Sequence, residues 1–361
     1  MRERLDAVRA RMADRGIDGL LVTGEENVHY LTGVPDCEGW ALVGERTLHL
    51  VVDGRYIEAA RRDLDPALGQ VLEWSRPFEE HLGALLARIG VTRLGFEADK
   101  VSVALAGRLA AALGGVALVQ TNGVVEDLRL VKSEDEIAAI RRAASIADES
   151  LRELLPRIRP GASEVDLAME LEWIMRRRGA ERAAFAFIVA SGPRAALPHG
   201  RASGRRLERG DAVTFDIGAV VGGYASDMTR TFLLDPVDAT MAQVWEIVAR
   251  AQREAVAAVR PGVTGRDVDR VARDIIAAAG YGPRFLHGTG HGVGLEIHEG
   301  PQVAVKGETV LRPGMVVTVE PGIYIEGLGG VRIEDTVAVR PDGPEVLTRF
   351  PIQARLEALE S

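Results

Sequence analysis

The segment LERGDAVTFD (207–216) recurs as LRPGMVVTVE (311–320), about a hundred positions later in the chain. Each copy has a glycine, then an apolar stretch with a threonine two residues before an acid. The acids at these matched positions are Asp216 and Glu320. The match indicates an internal duplication, which therefore decides the fold of this part of the chain.

A second acid follows in each copy, Asp227 before Met-Thr and Glu334 before Asp-Thr. Acids in strands this apolar are costly to bury unless they are paired or bind a metal. Gly222-Gly223 is a strong hairpin signal, so the chain should fold back there and bring Asp216 roughly opposite Asp227. We therefore expect a metal site built on a pseudo-two-fold axis.

Bulk properties exclude several classes of protein. The net charge of −9 and the lack of a basic run make nucleic acid and anionic membranes unlikely partners. No apolar run approaches the ~20 residues that span a bilayer, and the N-terminal segment lacks a signal-peptide core. Cys37 is the only cysteine, which fits a reducing cytoplasm and predicts an inert thiol, not a nucleophile.

The sequence predicts two domains, an N-terminal domain over 1–127 and a C-terminal domain over 132–361. The first shows an α/β alternation. Its expected helices and strands are a helix at 2–15, strands at 19–24, about 40–44 and 47–52, helices at about 55–63 and 78–89, and a strand at 93–97.

The C-terminal domain opens with Ser133 and Glu136, a capping box at the start of a long helix. Two helices precede the acid-bearing strands in each copy, and an Arg-Pro-Gly turn separates them. The expected helices cover 133–157, 163–178, 239–259 and 265–279. Two helices and a β-hairpin, used twice, give an α+β domain whose sheet is backed by helices.

The segment HGTGHGVGLEIHE (287–299) carries three histidines among glycines that allow close backbone approach. Its spacing does not fit a phosphate-binding loop. One imidazole with four carboxylates suits Mn²⁺ or Co²⁺ better than a structural zinc site, and bridging carboxylates favour two ions about 3.5–4 Å apart. His29, His49 and His81 lack ligand-like neighbours and are interpreted as structural.

The C-terminal part resembles the pita-bread metallopeptidases, which include methionine aminopeptidase, Xaa-Pro aminopeptidase and prolidase. The matching segments are LPHGRAS (197–203), FDIG (215–218), SDMTRT (226–231), HGTGHGVGLEIHE, VEPGIY (319–324) and GGVRIEDT (329–336). The N-terminal domain resembles the creatinase/prolidase N-domain, which favours the proline-specific branch. The resemblance implies a pita-bread domain that follows a smaller α/β domain, and a homodimer.

The resemblance also implies the site residues. The metal ligands would be Asp216, Asp227, His291, Glu320 and Glu334, holding two divalent ions, expected to be Mn²⁺, with Co²⁺ or Zn²⁺ as alternatives. Lining the substrate pocket would be His199, His287, His298 and Arg332. A hydroxide between the ions would attack the peptide carbonyl. Glu320 would accept the proton, and His298 or His199 would stabilise the oxyanion.

The expected substrate is a proline-containing peptide, cleaved at its N-terminal Xaa-Pro bond. The resemblance implies an arginine shortly after the His-Glu pair in prolidases, whereas this chain has Gln302 there. An aminopeptidase is therefore favoured, with an Xaa-Pro dipeptidase as the alternative. A non-catalytic peptide- or partner-binding protein is a remote alternative. Such a protein would be expected to lose metal ligands, whereas this sequence has a metal-binding residue at each of the five expected ligand positions.

Overall fold

The computed structural model describes residues 1–356, and the chain forms two compact units that divide between Arg129 and Leu130. This division lies in the short gap left between the expected domains 1–127 and 132–361. Within residues 1–356, no helix is long and apolar enough to cross a membrane.

The first unit is a mixed sheet with helices, as the α/β alternation predicted. Its helices are α1 (Arg2–Asp14), α2 (Glu25–Thr32), α3 (Ile57–Asp63), α4 (Glu79–Ile89), α5 (Val103–Ala112) and α6 (Glu126–Arg129). Its strands are β1 (Gly19–Val22), β2 (Trp40–Gly44), β3 (Leu48–Val52), β4 (Gln70–Glu73), β5 (Arg93–Glu97) and β6 (Ala117–Thr121). The sheet order is β4-β3-β2-β1-β5-β6, with β2 antiparallel to both neighbours and the other pairs parallel.

The second unit contains the duplication. Its helices are α7 (Glu134–Leu154), α8 (Glu164–Arg177), α9 (Ala239–Ala258) and α10 (Gly265–Ala278). The strands of the first copy are β7 (Arg182–Ala183), β8 (Ile188–Ser191), β9 (Ala212–Ile217), β10 (Ala219–Val221), β11 (Tyr224–Ala225) and β12 (Met228–Leu233). Those of the second copy are β13 (Gly290–Gly292), β14 (Glu299–Val303), β15 (Val316–Val319), β16 (Gly322–Ile325), β17 (Gly329–Arg332), β18 (Asp335–Arg340) and β19 (Gly343–Val346).

The helices of the duplication begin where capping residues predicted. Ser133 accepts a hydrogen bond from the backbone N–H of Glu136, and the Glu136 carboxylate accepts one from the N–H of Ser133, which completes the expected capping box. Thr264 and Asp267 form the corresponding box at the start of α10. The expected pair of helices in each copy is thus confirmed, together with the α+β fold class.

Each copy has its own apolar core behind its acid-bearing strands. The first copy buries Phe215 and Phe232 against α7 and α8. The second buries Val317 and Val337 against α9 and α10. The strand order is β12-β9-β8 in the first copy and β14-β13-β15-β18-β19 in the second. The acids therefore lie on strands that packed cores hold on one side.

The two copies differ in register. In β15–β18, Val319 pairs with Asp335, which leaves Glu320 and Glu334 just beyond the ladder on opposite strands. In β9–β12, Asp216 pairs with Thr229. The expectation that Asp216 lies opposite Asp227 was therefore wrong by two residues, and Asp227 is a diagonal neighbour on the same face.

The two-residue turn at Gly222-Gly223 gives this register, because the pairs Val220–Ala225 and Asp216–Thr229 are both symmetric about it. Gly218 lies where the two strands come close together. A Cβ atom at this position would lie 2.0 Å from the carbonyl oxygen of Ser226, so only glycine permits this approach of the two strands. The ladder ends there, and the chain continues into β10 and β11. The turn between them is the predicted Gly222-Gly223, with φ values of 59° and 79°.

Candidate metal centre

A cavity of about 500 Å³ in the second unit collects the predicted site residues. Its lining includes His199, Asp216, Asp227, His287, His291, His298, Glu320, Arg332 and Glu334. The structure thus brings together every residue assigned to the site from the sequence. Their chemical roles remain predictions.

The two copies contribute acids that meet near the pseudo-two-fold axis. Asp227, His291 and Glu334 each present one ligand atom, and these three atoms all lie within 4.8 Å of one another. The expected proximity of Asp227 and Glu334 is confirmed. A divalent ion bound by two carboxylates and an imidazole requires such an arrangement.

The ring of His291 is oriented for a cation. Its Nδ1 lies 2.9 Å from the carbonyl oxygen of Gly292, so this nitrogen carries the proton and donates it. The lone pair of Nε2 then faces carboxylate oxygens at 3.7 Å on Asp227 and 3.4 Å on Glu320. Burial lowers the pKa of His291 to about 4, so the ring is neutral at pH 7.

Two of the clustered carboxylates have an oxygen atom that is free to bind a cation. Among the described residues, Oδ1 of Asp216 and Oδ1 of Asp227 are buried and accept no hydrogen bond. Burial raises the pKa of Asp227 well above its usual range, and the charges of Glu334 and Asp216 raise it further. Burial and the charge of Glu320 do the same for Glu334, and burial raises the pKa of Glu320 to about 8. Such a cluster fits divalent cations, which would neutralise it.

Two side chains orient the carboxylates from outside the cluster. The Oγ1 of Thr229 donates to Oε2 of Glu334 over 2.6 Å. The guanidinium of Arg332 donates to Oδ2 of Asp216 over 2.6 Å and to Oγ1 of Thr229 over 3.1 Å. Arg332 therefore orients the carboxylate of Asp216, which is one of the expected metal ligands.

His287 is less available to substrate than expected. Its Nδ1 lies 2.7 Å from the carbonyl oxygen of Gly288, and its Nε2 lies 2.8 Å from the hydroxyl of Tyr324. That hydroxyl also accepts a hydrogen bond from Arg332 over 2.9 Å. Both ring nitrogens are engaged within the protein, so the ring can offer its face to the cavity but not a free donor. Sequence reasoning missed Tyr324, although it ends the VEPGIY segment.

Buried ion pairs hold the histidine segment. Asp269 on α10 accepts hydrogen bonds from the N–H and Oγ1 of Thr289 at 3.0 and 2.9 Å, and it pairs with Arg273. Lys132 pairs with Glu299 over 2.6 Å, and their side chains are 1% and 7% exposed. These contacts fix both ends of the segment that carries the histidines.

A corresponding network holds the loop that carries His199. The carboxylate of Glu164, fully buried at the start of α8, accepts hydrogen bonds from the backbone N–H groups of Ser191 and Ser203 at 2.8 and 3.1 Å. It also pairs with Arg194. Neither network was visible in the sequence, because the partners are far apart along the chain.

The rest of the cavity wall is largely apolar, with one cation. Phe185, Ile188 and Ile297 lie on it, and so does the exposed Arg201. Gln302, which the sequence analysis placed at a carboxylate-binding position, is exposed on β14 and is absent from the described lining. Arg201 is thus a cation on the cavity wall that sequence reasoning missed.

The residues interpreted as structural lie apart from this cavity. His49 is buried in β3, and burial lowers its pKa. His81 contacts Ser75 over 3.1 Å. Cys37 is buried, and burial raises the pKa of its thiol to about 11, which supports its interpretation as inert.

Comparison with known proteins gives matches over most of the chain. Residues 138–341 match the family model described as metallopeptidase family M24, and residues 4–131 match the creatinase/prolidase N-terminal domain. A protein named Xaa-Pro dipeptidase from Pyrococcus horikoshii is 39% identical, with 97% of each chain covered.

Solved structures match equally broadly. A structure titled as the Xaa-Pro dipeptidase from Bacillus anthracis is 40% identical, with a TM-score of 0.94 over 98% of this chain and 99% of that one. The X-Pro aminopeptidase structure from Thermotoga maritima is 36% identical, with a TM-score of 0.88 over 94% and 97%. Structures similar to this chain are therefore named both as Xaa-Pro dipeptidase and as X-Pro aminopeptidase, the two activities considered from the sequence.

Proposed function

The chain belongs to metallopeptidase family M24, and we propose that it is a metal-dependent hydrolase of N-terminal Xaa-Pro peptide bonds. One observation carries the proposal. Carboxylates from both copies of the duplication converge with the lone pair of His291, and two of their buried oxygens have no partner among the described residues. Relatives named for Xaa-Pro cleavage supply the substrate class.

Two divalent ions would be held by Asp216, Asp227, His291, Glu320 and Glu334. We propose Mn²⁺, because hard carboxylate oxygens dominate the ligand set and no thiolate is present. Bound ions would lower the pKa of a coordinated water and polarise the peptide carbonyl.

The protein's own groups would handle protons and charge. Glu320 lies at the edge of the cluster, 3.4 Å from Nε2 of His291, and would accept the proton of the attacking water. The ring of His298 lies edge-on to that of His291, with centroids 4.4 Å apart, and would donate to the developing oxyanion. His199 is the second donor that faces the same cavity.

The apolar wall would receive the substrate's proline ring. Phe185, Ile188 and Ile297 present carbon surface beside the charged cluster, which suits a side chain without hydrogen-bonding groups. The cytoplasm remains our proposed location, and the single buried thiol of Cys37 supports it.

The division of roles between two histidines gives a direct test. We expect His291→Ala to weaken metal binding, because it removes a ligand. His298→Ala should retain the metal and lower kcat by roughly 10²-fold, the typical loss for one oxyanion donor. Elemental analysis of both purified variants, with steady-state kinetics, measures this. Equal metal loss in the two variants would show that His298 is a ligand and would sink the assignment.

Substrate length is tested with Xaa-Pro and Xaa-Pro-Yaa peptides. Arg201 is exposed, and an exposed ion pair contributes only about 0.2–1 kcal/mol, so a free carboxylate after proline should be favoured a few-fold at most. We therefore propose the aminopeptidase mode and expect kcat/KM for Xaa-Pro-Yaa to equal or exceed that for Xaa-Pro. Arg201→Met should raise KM for the dipeptide alone, by up to about fivefold.

Arg209→Met is the matched control, since Arg209 is an exposed arginine in the same loop region that does not line this cavity. It should leave both substrates unaffected. If the unmodified protein cleaves only dipeptides, the aminopeptidase mode is wrong and the dipeptidase alternative holds.

A further inference from the structure

Two buried side chains outside the described cavity lining hold the second acid of the opposite copy. Arg230 lies on β12 of the first copy, and its Nη1 donates to the backbone carbonyl oxygen of Glu334 over 2.5 Å. Thr336 lies on β18 of the second copy, and its Oγ1 donates to the backbone carbonyl oxygen of Asp227 over 2.7 Å. Both residues are buried. Each copy therefore holds the backbone of the acid that the other copy contributes.

No strand ladder sets the offset between these two acids. Strands β12 and β18 belong to different sheets, and no ladder joins them in the part of the chain that the structure describes. The backbone N–H of Glu334 donates to the carbonyl oxygen of Thr229 over 3.1 Å. A single backbone hydrogen bond leaves one strand free to pivot against the other. The side-chain hydrogen bonds of Arg230 and Thr336 are therefore needed to fix how far apart the acids lie.

The guanidinium of Arg230 is itself locked in place. Its five N–H groups make five hydrogen bonds, to the carbonyl oxygens of Thr229 and Glu334, twice to that of Phe350, and to Oδ1 of Asp335. The side chains of Arg230 and Asp335 pair over 2.7 Å and are 3% and 6% exposed. Because every donor is used inside the protein, Arg230 can orient its neighbours but has no hydrogen bond left for a substrate.

The duplication places the threonine contacts at matched positions. Thr229 and Thr336 each lie two residues after the second acid of their own copy. The Oγ1 of Thr229 donates to the carboxylate of Glu334, and the Oγ1 of Thr336 donates to the carbonyl oxygen of Asp227. Both threonines thus act on the second acid of the opposite copy, although they bind different atoms of it. This position of the repeat therefore joins the two copies.

We propose that Arg230 and Thr336 are positioning residues that fix the separation of Asp227 and Glu334 and so set the affinity of the site for divalent ions. The proposal rests on the proposed function only in taking these two acids as metal ligands. Neither residue supplies a ligand atom, since Arg230 is a cation and the hydroxyl of Thr336 is bound to a carbonyl oxygen. Loss of a partner that orients a metal ligand costs about 10–100-fold in metal affinity.

Titration of the metal-free full-length protein with Mn²⁺, with free Mn²⁺ measured by electron paramagnetic resonance, tests the proposal. Thr336→Val removes the hydroxyl with little change of shape and should raise the Mn²⁺ Kd about tenfold. Thr336→Ser restores the hydroxyl and should restore most of the affinity. Arg230→Lys keeps a cation beside Asp335 but cannot make all five hydrogen bonds, and it should also raise Kd about tenfold.

Thr32→Val is the matched control. The Oγ1 of Thr32, a buried residue of the first unit, also donates to a backbone carbonyl oxygen over 2.7 Å, that of Val28. Urea unfolding should show a similar loss of stability in Thr32→Val and Thr336→Val, whereas the Mn²⁺ Kd should change only in Thr336→Val.

A wild-type Kd in Thr336→Val and Arg230→Lys would overturn the proposal and leave the proposed function intact. An equal rise of Kd in Thr32→Val would overturn it too, because the effect would then follow stability alone. So would a Thr336→Ser variant no better than Thr336→Val. Wild-type protein that binds no Mn²⁺ would overturn this proposal and the proposed function together.

Discussion

Replacing Asp227 with asparagine is expected to stabilise the metal-free protein and to abolish its stabilisation by Mn²⁺. Without metal, the buried carboxylate of Asp227 lies against those of Glu334 and Asp216, and its Oδ1 lacks a hydrogen-bond partner. Relieving one such buried group is worth about 1–3 kcal/mol. At about 2–4 °C per kcal/mol for a unit of this size, the melting temperature should rise by several degrees.

The gain should depend on pH. The folded-state pKa values of Asp227, Glu334 and Glu320 are raised, that of Glu320 to about 8. Groups with raised folded-state pKa values contribute stability below their unfolded pKa, near 4, and lose it as the pH rises toward the folded pKa. Metal-free wild type should therefore lose stability between about pH 4 and pH 8, and Asp227→Asn should lose less of it.

Differential scanning calorimetry with and without Mn²⁺, at pH 5.5 and pH 8, measures both effects. The control is Asp342→Asn, which changes an exposed acid in the turn before β19 and should alter neither. A metal-free Asp227→Asn variant that melts below wild type at pH 8 would show that this carboxylate is stabilising without an ion. The account of the cluster as a cation site would then fail.

Replacing Lys132 with methionine should be the most destabilising single change proposed. The substitution leaves the carboxylate of Glu299 buried without its cation, and breaking a buried pair in this way costs about 3–5 kcal/mol. Because Glu299 directly follows His298, kcat should fall as well. Urea unfolding measures the stability change.

The double variant Lys132→Met/Glu299→Gln should recover at least half of the lost stability, because it removes the stranded charge. Lys306→Met, at an exposed lysine, is the control and should change stability by less than about 0.5 kcal/mol. A double variant less stable than Lys132→Met alone would mean that Glu299 stabilises the segment through contacts other than this ion pair.

Sequence predicted the elements whose signals are local. The helices of the duplication were placed within three residues of their observed ends, because side chains such as Ser133 and Thr264 cap them. In the first unit, α2, α5, α6, β4 and β6 were not predicted. Strands β4 and β6 are only partly buried and lack a clear alternation of apolar residues.

The parts of the site that sequence could not supply depend on contacts between distant residues. The register of β9–β12 is not one of these parts, because the pairs Val220–Ala225 and Asp216–Thr229 both follow from the two-residue turn at Gly222-Gly223. Tyr324 reaches His287 across 37 positions. The backbone carbonyl of Arg201 accepts a hydrogen bond from Arg194, which in turn pairs with Glu164. The duplication revealed the four acids of the expected ligand set because matched acids are visible without knowing any contact, whereas His291 was assigned through the family resemblance.

Anomalous diffraction from crystals soaked in MnCl₂ tests the central claim most directly. The account predicts two manganese peaks about 3.5–4 Å apart, surrounded by the side chains of Asp216, Asp227, His291, Glu320 and Glu334. Peaks elsewhere, or no peak among these residues at saturating Mn²⁺, would contradict a dinuclear centre built from both copies of the duplication.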